Sequence, residues 1–556
     1  MKRLIAILLT LALLLSVLVS CLPNWAPPTG DPGTDNPPIG GNGTGNGGNN
    51  TGNNTGNNTG GNGGNNTGNN TGGNGGNNTG NGGGNGTQGE PCVSKTAHTD
   101  SDKNGYCDTC GYDVIITLDI YAINDLHGKV FDTDSQIGVD ELTSYLRGAS
   151  DRDEAHILLS SGDMWQGSAE SNITKGALVT DWMSALGFVS MTLGNHEFDW
   201  GEEFVESNAA LADFPFLAIN IYERATNTRV DYCAPSVVID RGDLRIGVIG
   251  AIGDCYSSIS SERVEDIYFK TGSELNSLVK AESERLRREE EVDIVIYSIH
   301  DGYIGSTDLS SGGYVDIIFE GHSHQKYVKT DTFDVYHLQN GGENTGGVSH
   351  AELNVNFVTD EVSVNIAEIV APSVYSSLTP DPLVDELNEK YATEIGDAFG
   401  KVGYNAYYRD DSEVEDLTAM LYYQLAVKEW GDKYDIVLGG GFLKTRSPYN
   451  LAKGDVTYSD LMMLMPFDNQ IVLCSVKGSD LKRKFFDTSN GDYHIYYEAY
   501  GKLVYETIDS NATYYIVVDS YTSQYGPNRL TVVETYDSTV FARDLLADYI
   551  RAGGLE

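Results

Sequence analysis

The sequence predicts an α/β fold, and three observations point to it. Short apolar runs recur along the chain: VIITLDIYAI at 114–123, HILLSS at 156–161, FVSMTL at 188–193, VDIVIYSI at 292–299 and VDIIFE at 315–320. Stretches such as SELNSLVKAESERLRREEE at 273–291 place their apolar residues near helical spacing between these runs. Each run leads directly into a short polar segment carrying Asp, Asn or His. Strands alternating with helices predict an α/β sandwich, and open sheets of that kind bind ligands beyond their strand ends.

At 556 residues the chain is too long for one hydrophobic core, so two or three globular units are expected. The formal charge of -44 excludes nucleic-acid polymers as partners, because so acidic a surface repels polyanions. Small anionic substrates stay open, since bound metal ions reverse the field locally.

The amino-terminal segment reads as an address. Lys2 and Arg3 precede the apolar run Leu4–Val19, and Leu18-Val19-Ser20-Cys21 closes it with small residues before a cysteine. Residues 1–21 are therefore a secretory signal. Its close resembles a bacterial lipobox, which implies cleavage before Cys21, lipidation of its thiol and an extracytoplasmic, membrane-anchored protein. The run is too short for a membrane span and has no charged stop behind it. Residues 22–90 are dominated by Gly, Asn and Thr without apolar periodicity, the composition of a disordered tether. A Gly-rich coil of about 60 residues spans roughly 40–45 Å on average, enough to hold a catalytic body clear of a membrane.

Residues 91–112 hold a small cluster: Cys92, His98, Cys107 and Cys110, the last two as Cys-x-x-Cys. That set suits a tetrahedral structural zinc, and a disulfide between two of the cysteines is the alternative outside the cytoplasm. Asp100, Asp102 and Asn104 before Gly105 resemble the opening of an EF-hand loop, but the closing Glu is missing.

The polar segments after the apolar runs are NDLHG (124–128), GDMW (162–165), GNHEFD (194–199), HDG (300–302) and GHSH (321–324). Asp, Asn and His are oxygen and imidazole donors suited to divalent ions such as zinc and manganese. Seven such groups suffice for two four-ligand ions sharing one carboxylate, and a metal pair about 3.5–4 Å apart clamps a phosphoryl group and activates a water.

These motifs in this order resemble the calcineurin-like metallophosphatases, most closely the bacterial 5′-nucleotidase branch, from about Val114 to the carboxyl terminus. The resemblance implies a four-layer αββα metallophosphatase sandwich at 113–372, a linker helix at 373–399, and a smaller α/β substrate-binding nucleotidase domain at 400–556. It implies that Asp125, His127 and His324 hold one divalent ion (Zn, Mn or similar), that Asn195, His300 and His322 hold the other, and that Asp163 bridges them. His196 and Asp199 become a catalytic pair, a metal-activated water the nucleophile, and a small nucleotide the substrate. In the carboxyl-terminal half Phe467 sits in a Met-Pro-Phe segment, Tyr521 is the best match to the family's late aromatic, and Arg409 falls where the family places a phosphate-binding arginine. Arg446 is the match to a second arginine, although Phe442-Leu443-Lys444-Thr445 separates it from Gly439-Gly440-Gly441, where the family has it almost at once. The acidic, Gly-rich turn expected after the late aromatic is replaced by Ser523-Gln524-Tyr525-Gly526-Pro527-Asn528. The alternatives are a 2′,3′-cyclic-nucleotide 2′-phosphodiesterase with 3′-nucleotidase activity and, in another class, a non-catalytic surface-binding module.

Overall fold

The computed structural model describes residues 92, 97–132, 137–150, 155–342, 346–441, 445, 450–486, 494–496, 507–524 and 529–555. Cys21, the 22–90 segment and Arg446 lie outside the described residues. Among the described residues no helix is long and apolar enough to cross a membrane.

Two six-stranded sheets form the catalytic body. In the first, Ile115–Ile123, His156–Ser160, Ser190–Thr192 and Phe216–Leu217 run parallel in that order. The antiparallel pair Val348–Asn356 and Glu361–Val370 extends the sheet from its Ile115–Ile123 side. The second sheet has Leu244–Ile252, Ile294–His300, Ile317–Glu320 and Tyr336–Asn340 in parallel, edged by the antiparallel strands Ser236–Arg241 and Lys326–Thr330.

Alternation along the strands stacks the layers. Leu118, Ile120 and Ala122 meet Val248, Ile296, Ile317 and Phe319 in a core shared by the two sheets. Their neighbours Tyr121 and Ile123 face a second core with residues of the helices Asp140–Ser150 and Ala177–Leu186. On the far side Ile249, Val295, Tyr297 and Ile318 pack with Leu275, Val279 and Leu286 of the helix Gly272–Glu289. Strand side chains alternate between faces, so one strand feeds two cores, and the result is helix, sheet, sheet, helix.

The helix read between the two halves is Pro382–Ile395, started by the Asp381 carboxylate accepting from Leu383 N. It is no free connector: Leu383, Val384, Leu387, Tyr391 and Ile395 are buried in the same core as Trp182. The carboxyl-terminal region has a five-stranded sheet ordered His494–Tyr496, Ile436–Gly441, Thr513–Asp519, Ile471–Lys477, Thr531–Thr535. The long helix Asp411–Trp430 packs on it through Ala419, Tyr422 and Ala426, beside Ile436, Ile471 and Val517. After Thr513–Asp519 come the short helix Ser520–Gln524, the strand Thr531–Thr535 and the helix Ala542–Arg551.

Candidate metal centre and adjoining cavity

The predicted ligands sit at the carboxyl ends of parallel strands. Asp125 follows Ile115–Ile123, Asp163 follows His156–Ser160, Asn195 follows Ser190–Thr192, His300 ends Ile294–His300, and His322 follows Ile317–Glu320. Asp125, His127, Asp163, His322 and His324 all have φ between 51° and 69°. That left-handed backbone costs a non-glycine residue free energy and persists only where surrounding structure enforces it. Gly194 has another role: a Cβ on it would lie 2.3 Å from Asp163 Oδ1, so only glycine lets this loop approach the carboxylate.

Asp125, His127 and His324 bring one donor atom each within 4.8 Å of one another, and so do Asp125, Asp163 and His300. His127 Nε2 lies 2.9 Å from His324 Nε2, and His324 Nε2 lies 3.4 Å from Asp125 Oδ1. His300 Nδ1 donates to the Ser161 carbonyl at 2.6 Å, and His127 Nδ1 to the Gln166 carbonyl at 2.8 Å. These bonds fix both tautomers and leave the Nε2 atoms for the centre, the usual arrangement behind a metal-ligating histidine. Asp125 accepts from His322 N at 3.1 and 3.0 Å and from Asn124 Nδ2 at 2.5 Å.

The donors fit divalent cations on an observation independent of motif. Asn195 is buried, and its Oδ1 has no hydrogen-bond partner among the described residues. His300 Nε2 faces Asp163 Oδ2 at 3.0 Å. Buried acceptors left unpaired are costly unless something else satisfies them, and a cation does. Burial alone would raise the Asp163 carboxyl, but His300, His196 and His127 outweigh it and hold it well below the usual carboxylate range. Burial likewise opposes charge on His300, yet Asp163, Asp125 and Glu197 push it up to about 10. The field therefore favours positive charge between these groups, which protons or metal ions can supply.

His196 stands beside the ligands. Its backbone N–H donates to Asp163 Oδ1 at 2.9 Å, and its Nδ1 donates to Asp199 Oδ2 at 2.7 Å within one tight turn. Phe467 stacks against it with ring centroids 6.2 Å apart and planes 29° apart. A cavity of about 310 Å³ opens here, lined by Asn195, His196, Asp199, His322, Arg263, Phe467 and Tyr521 among others. Its floor is braced across the two halves of the chain: Asp468 pairs with Lys175 at 2.9 Å and with the buried Arg543.

Arg409 does not line this cavity. Its Nε donates to Asn405 Oδ1 at 3.2 Å and its guanidinium lies 4.2 Å from the Tyr407 ring. Cys92, His98, Cys107 and Cys110 come together away from the centre. Sequence reasoning gave Glu197 no role, although it ties two ligand loops together. Fully buried, it accepts from Asp163 N at 3.0 Å, Met164 N at 2.8 Å and Gly194 N at 2.7 Å. The signal for it was an acidic residue inside GNHEFD with no basic residue nearby in sequence. Cys255 was also missed as a neighbour of the centre: its Sγ donates to the His300 carbonyl at 2.8 Å.

Residues 118–326 match the family model for calcineurin-like phosphoesterases, and residues 409–500 match that for the 5′-nucleotidase C-terminal domain. An apyrase of Tabanus yao is 27% identical over 406 residues, covering 66% of this chain and 72% of the relative. A 5′-nucleotidase of Vibrio cholerae is 25% identical over 383 residues, covering 58% and 66%. The crystal structure of a 5′-nucleotidase precursor from Thermus thermophilus superimposes with a TM-score of 0.60 at 18% identity, covering 79% of this chain and 96% of that one.

Proposed function

Because the chain belongs to the calcineurin-like phosphoesterases that carry a 5′-nucleotidase C-terminal domain, we propose that it releases phosphate from nucleotides outside the cytoplasm with the help of two divalent ions. The observation that carries this reading is the clustering of Asp125 with His127 and His324, and with Asp163 and His300, beside a cavity that Asn195, His322, Phe467 and Tyr521 help to line, with the Asn195 acceptor otherwise unsatisfied.

Asp125, His127 and His324 would hold one ion, Asn195, His300 and His322 the other, with Asp163 shared between them. When bound, such ions neutralise charge on the phosphoryl oxygens and supply a water nucleophile at neutral pH. The remaining chemistry belongs to the chain. His196, oriented by Asp199, is placed to meet negative charge on the phosphoryl group or to pass a proton to the leaving oxygen. Phe467 and Tyr521 offer apolar faces on which a nucleobase stacks, in a cavity large enough for a nucleoside. The 5′-nucleotidase C-terminal domain match supports nucleoside 5′-monophosphates as the substrate class. The amino-terminal signal, Cys21 and the 22–90 segment support a lipid-anchored protein whose catalytic body stands off the membrane.

Phosphate release should be measured with the metal-reconstituted protein on 5′-AMP, 3′-AMP, 2′,3′-cyclic AMP, ATP, UDP-glucose and an aryl phosphate. Preference for 5′-nucleotides is the expected result. Preference for cyclic or 3′ substrates would move the assignment to the phosphodiesterase with 3′-nucleotidase activity. Silence on every substrate with metal bound would remove the nucleotide hydrolase reading and leave the binding module.

A further inference from the structure

The segment just ahead of the catalytic body is too small to hold itself together. Among the described residues of 92–114 only Cys107 and Val114 are buried. Its backbone is tied by a few bonds: Cys107 N to Tyr112 O at 2.7 Å, Gly111 N to Cys107 O at 2.8 Å, and Asp108 N to Thr99 O at 2.7 Å. A unit of this size lacks the apolar burial to offset its chain entropy and needs a covalent or metal staple.

The side chains supply donors for one. Cys92, His98, Cys107 and Cys110 place their donor atoms within 4.8 Å of one another. Cys92 Sγ lies 3.7 Å from Cys107 Sγ, and Cys110 Sγ lies 3.5 Å from His98 Nδ1. A tetrahedral zinc with Zn–S of about 2.3 Å separates its sulfurs by about 3.8 Å, and with Zn–N of about 2.0 Å it separates sulfur from nitrogen by about 3.5 Å. The two observed edges match that tetrahedron. A disulfide requires sulfurs about 2.05 Å apart, and these three cysteines are unbridged.

We infer that Cys92, His98, Cys107 and Cys110 bind one structural zinc ion, separate from the catalytic centre, that locks the junction between the amino-terminal segment and the catalytic body. Three thiolates and one imidazole in a closed tetrahedron select zinc over harder cations. The His98 ring stacks on Tyr112 with centroids 4.7 Å apart, and the Tyr112 hydroxyl donates to Asp243 of the catalytic body. Order at the metal is thereby passed to the second sheet through one residue. The neighbouring aspartates are engaged in turns: Asp100 accepts from Asn104 N at 2.9 Å and Gly105 N at 3.0 Å, and Asp108 accepts from Ser101 N at 2.9 Å.

The test uses the whole chain, purified from zinc-replete medium without chelator. Elemental analysis of the parent and of the double variant Cys107→Ser/Cys110→Ser should differ by one equivalent of zinc, with aryl-phosphate turnover within twofold of the parent. Should the double variant fail to fold, the parent alone decides. Its Cys92, Cys107 and Cys110 should resist native alkylation until a chelator is added, as read by peptide mass mapping. Its cobalt-substituted form should show thiolate-to-cobalt charge transfer. Equal zinc in parent and variant, alkylation at the same rate without chelator, or an intact mass lower by two hydrogens with Cys92, Cys107 and Cys110 cross-linked would each overturn the site.

Discussion

Replacing Gly194 by Ala tests the geometry of the centre without removing any donor. The backbone there tolerates alanine, because Gly194 is not in the left-handed region. The added Cβ meets Asp163 Oδ1 at 2.3 Å, Asp163 N at 2.6 Å and Glu197 Oε2 at 2.9 Å. Van der Waals contact begins near 3.4 Å, so the Asp163 carboxylate must retreat by about 1 Å, and backbone on the other side leaves it no easy path. A misplacement of about 1 Å in a reacting constellation costs on the order of 10²-fold in rate, or about 2.7 kcal/mol of activation free energy. The assay is kcat/KM for phosphate release at saturating metal, with metal content measured on the same sample. We expect a loss of about 10²-fold, with weakened retention of at least one ion and a circular dichroism spectrum like the parent's. A variant within threefold of the parent, with full metal content, would refute the assignment of Asp163 to the reacting centre.

Phe467→Ala should raise KM for 5′-AMP while leaving an aryl phosphate nearly unaffected; equal losses on both would make the ring a packing element against His196. Cys21→Ala should move the protein from the membrane fraction to the soluble extracytoplasmic fraction, and membrane retention of the variant would remove the lipid anchor from the account. Burial pushes the Asp519 carboxyl up to about 6, even though Thr522 N and Oγ1 donate to it at 2.6 and 2.9 Å. Its folded value lies above the unfolded one, so its ionisation subtracts stability as pH rises from about 4 to about 6. Asp519→Asn should therefore gain on the parent by up to about 3 kcal/mol between pH 3.5 and pH 7 in urea titrations; parallel profiles would contradict the shift.

Much of the catalytic body is legible in the sequence because its strands are short apolar runs and its ligands follow them within three residues. Asp125, Asp163, Asn195, His300 and His322 occupy such positions, so a local pattern reports a nonlocal convergence. What one strand cannot reveal is which residue supports another strand's loop. Glu197 binds the backbone of residues 163 and 164, more than thirty positions away, and no local period marks that. The run at 188–193 suggests a six-residue strand, yet only Ser190–Thr192 pairs, since Phe188 and Leu193 turn into a core between helices. The linker helix expected within 373–399 is Pro382–Ile395, but nothing local marks its partners, and its apolar stripe lies against the catalytic core. The carboxyl-terminal half is harder because its aromatic residues serve packing and binding alike. Tyr422 and Tyr521 both line the cavity, and only burial separates the first, 1% exposed, as a core residue.

The most direct test of the central claim, a phosphoester hydrolase built on two ions sharing one carboxylate, is Asp163→Ala with metal content and turnover measured together. The account predicts a folded protein that loses phosphate release on every substrate and retains less metal at the centre than the parent. Turnover that survives the substitution would contradict it.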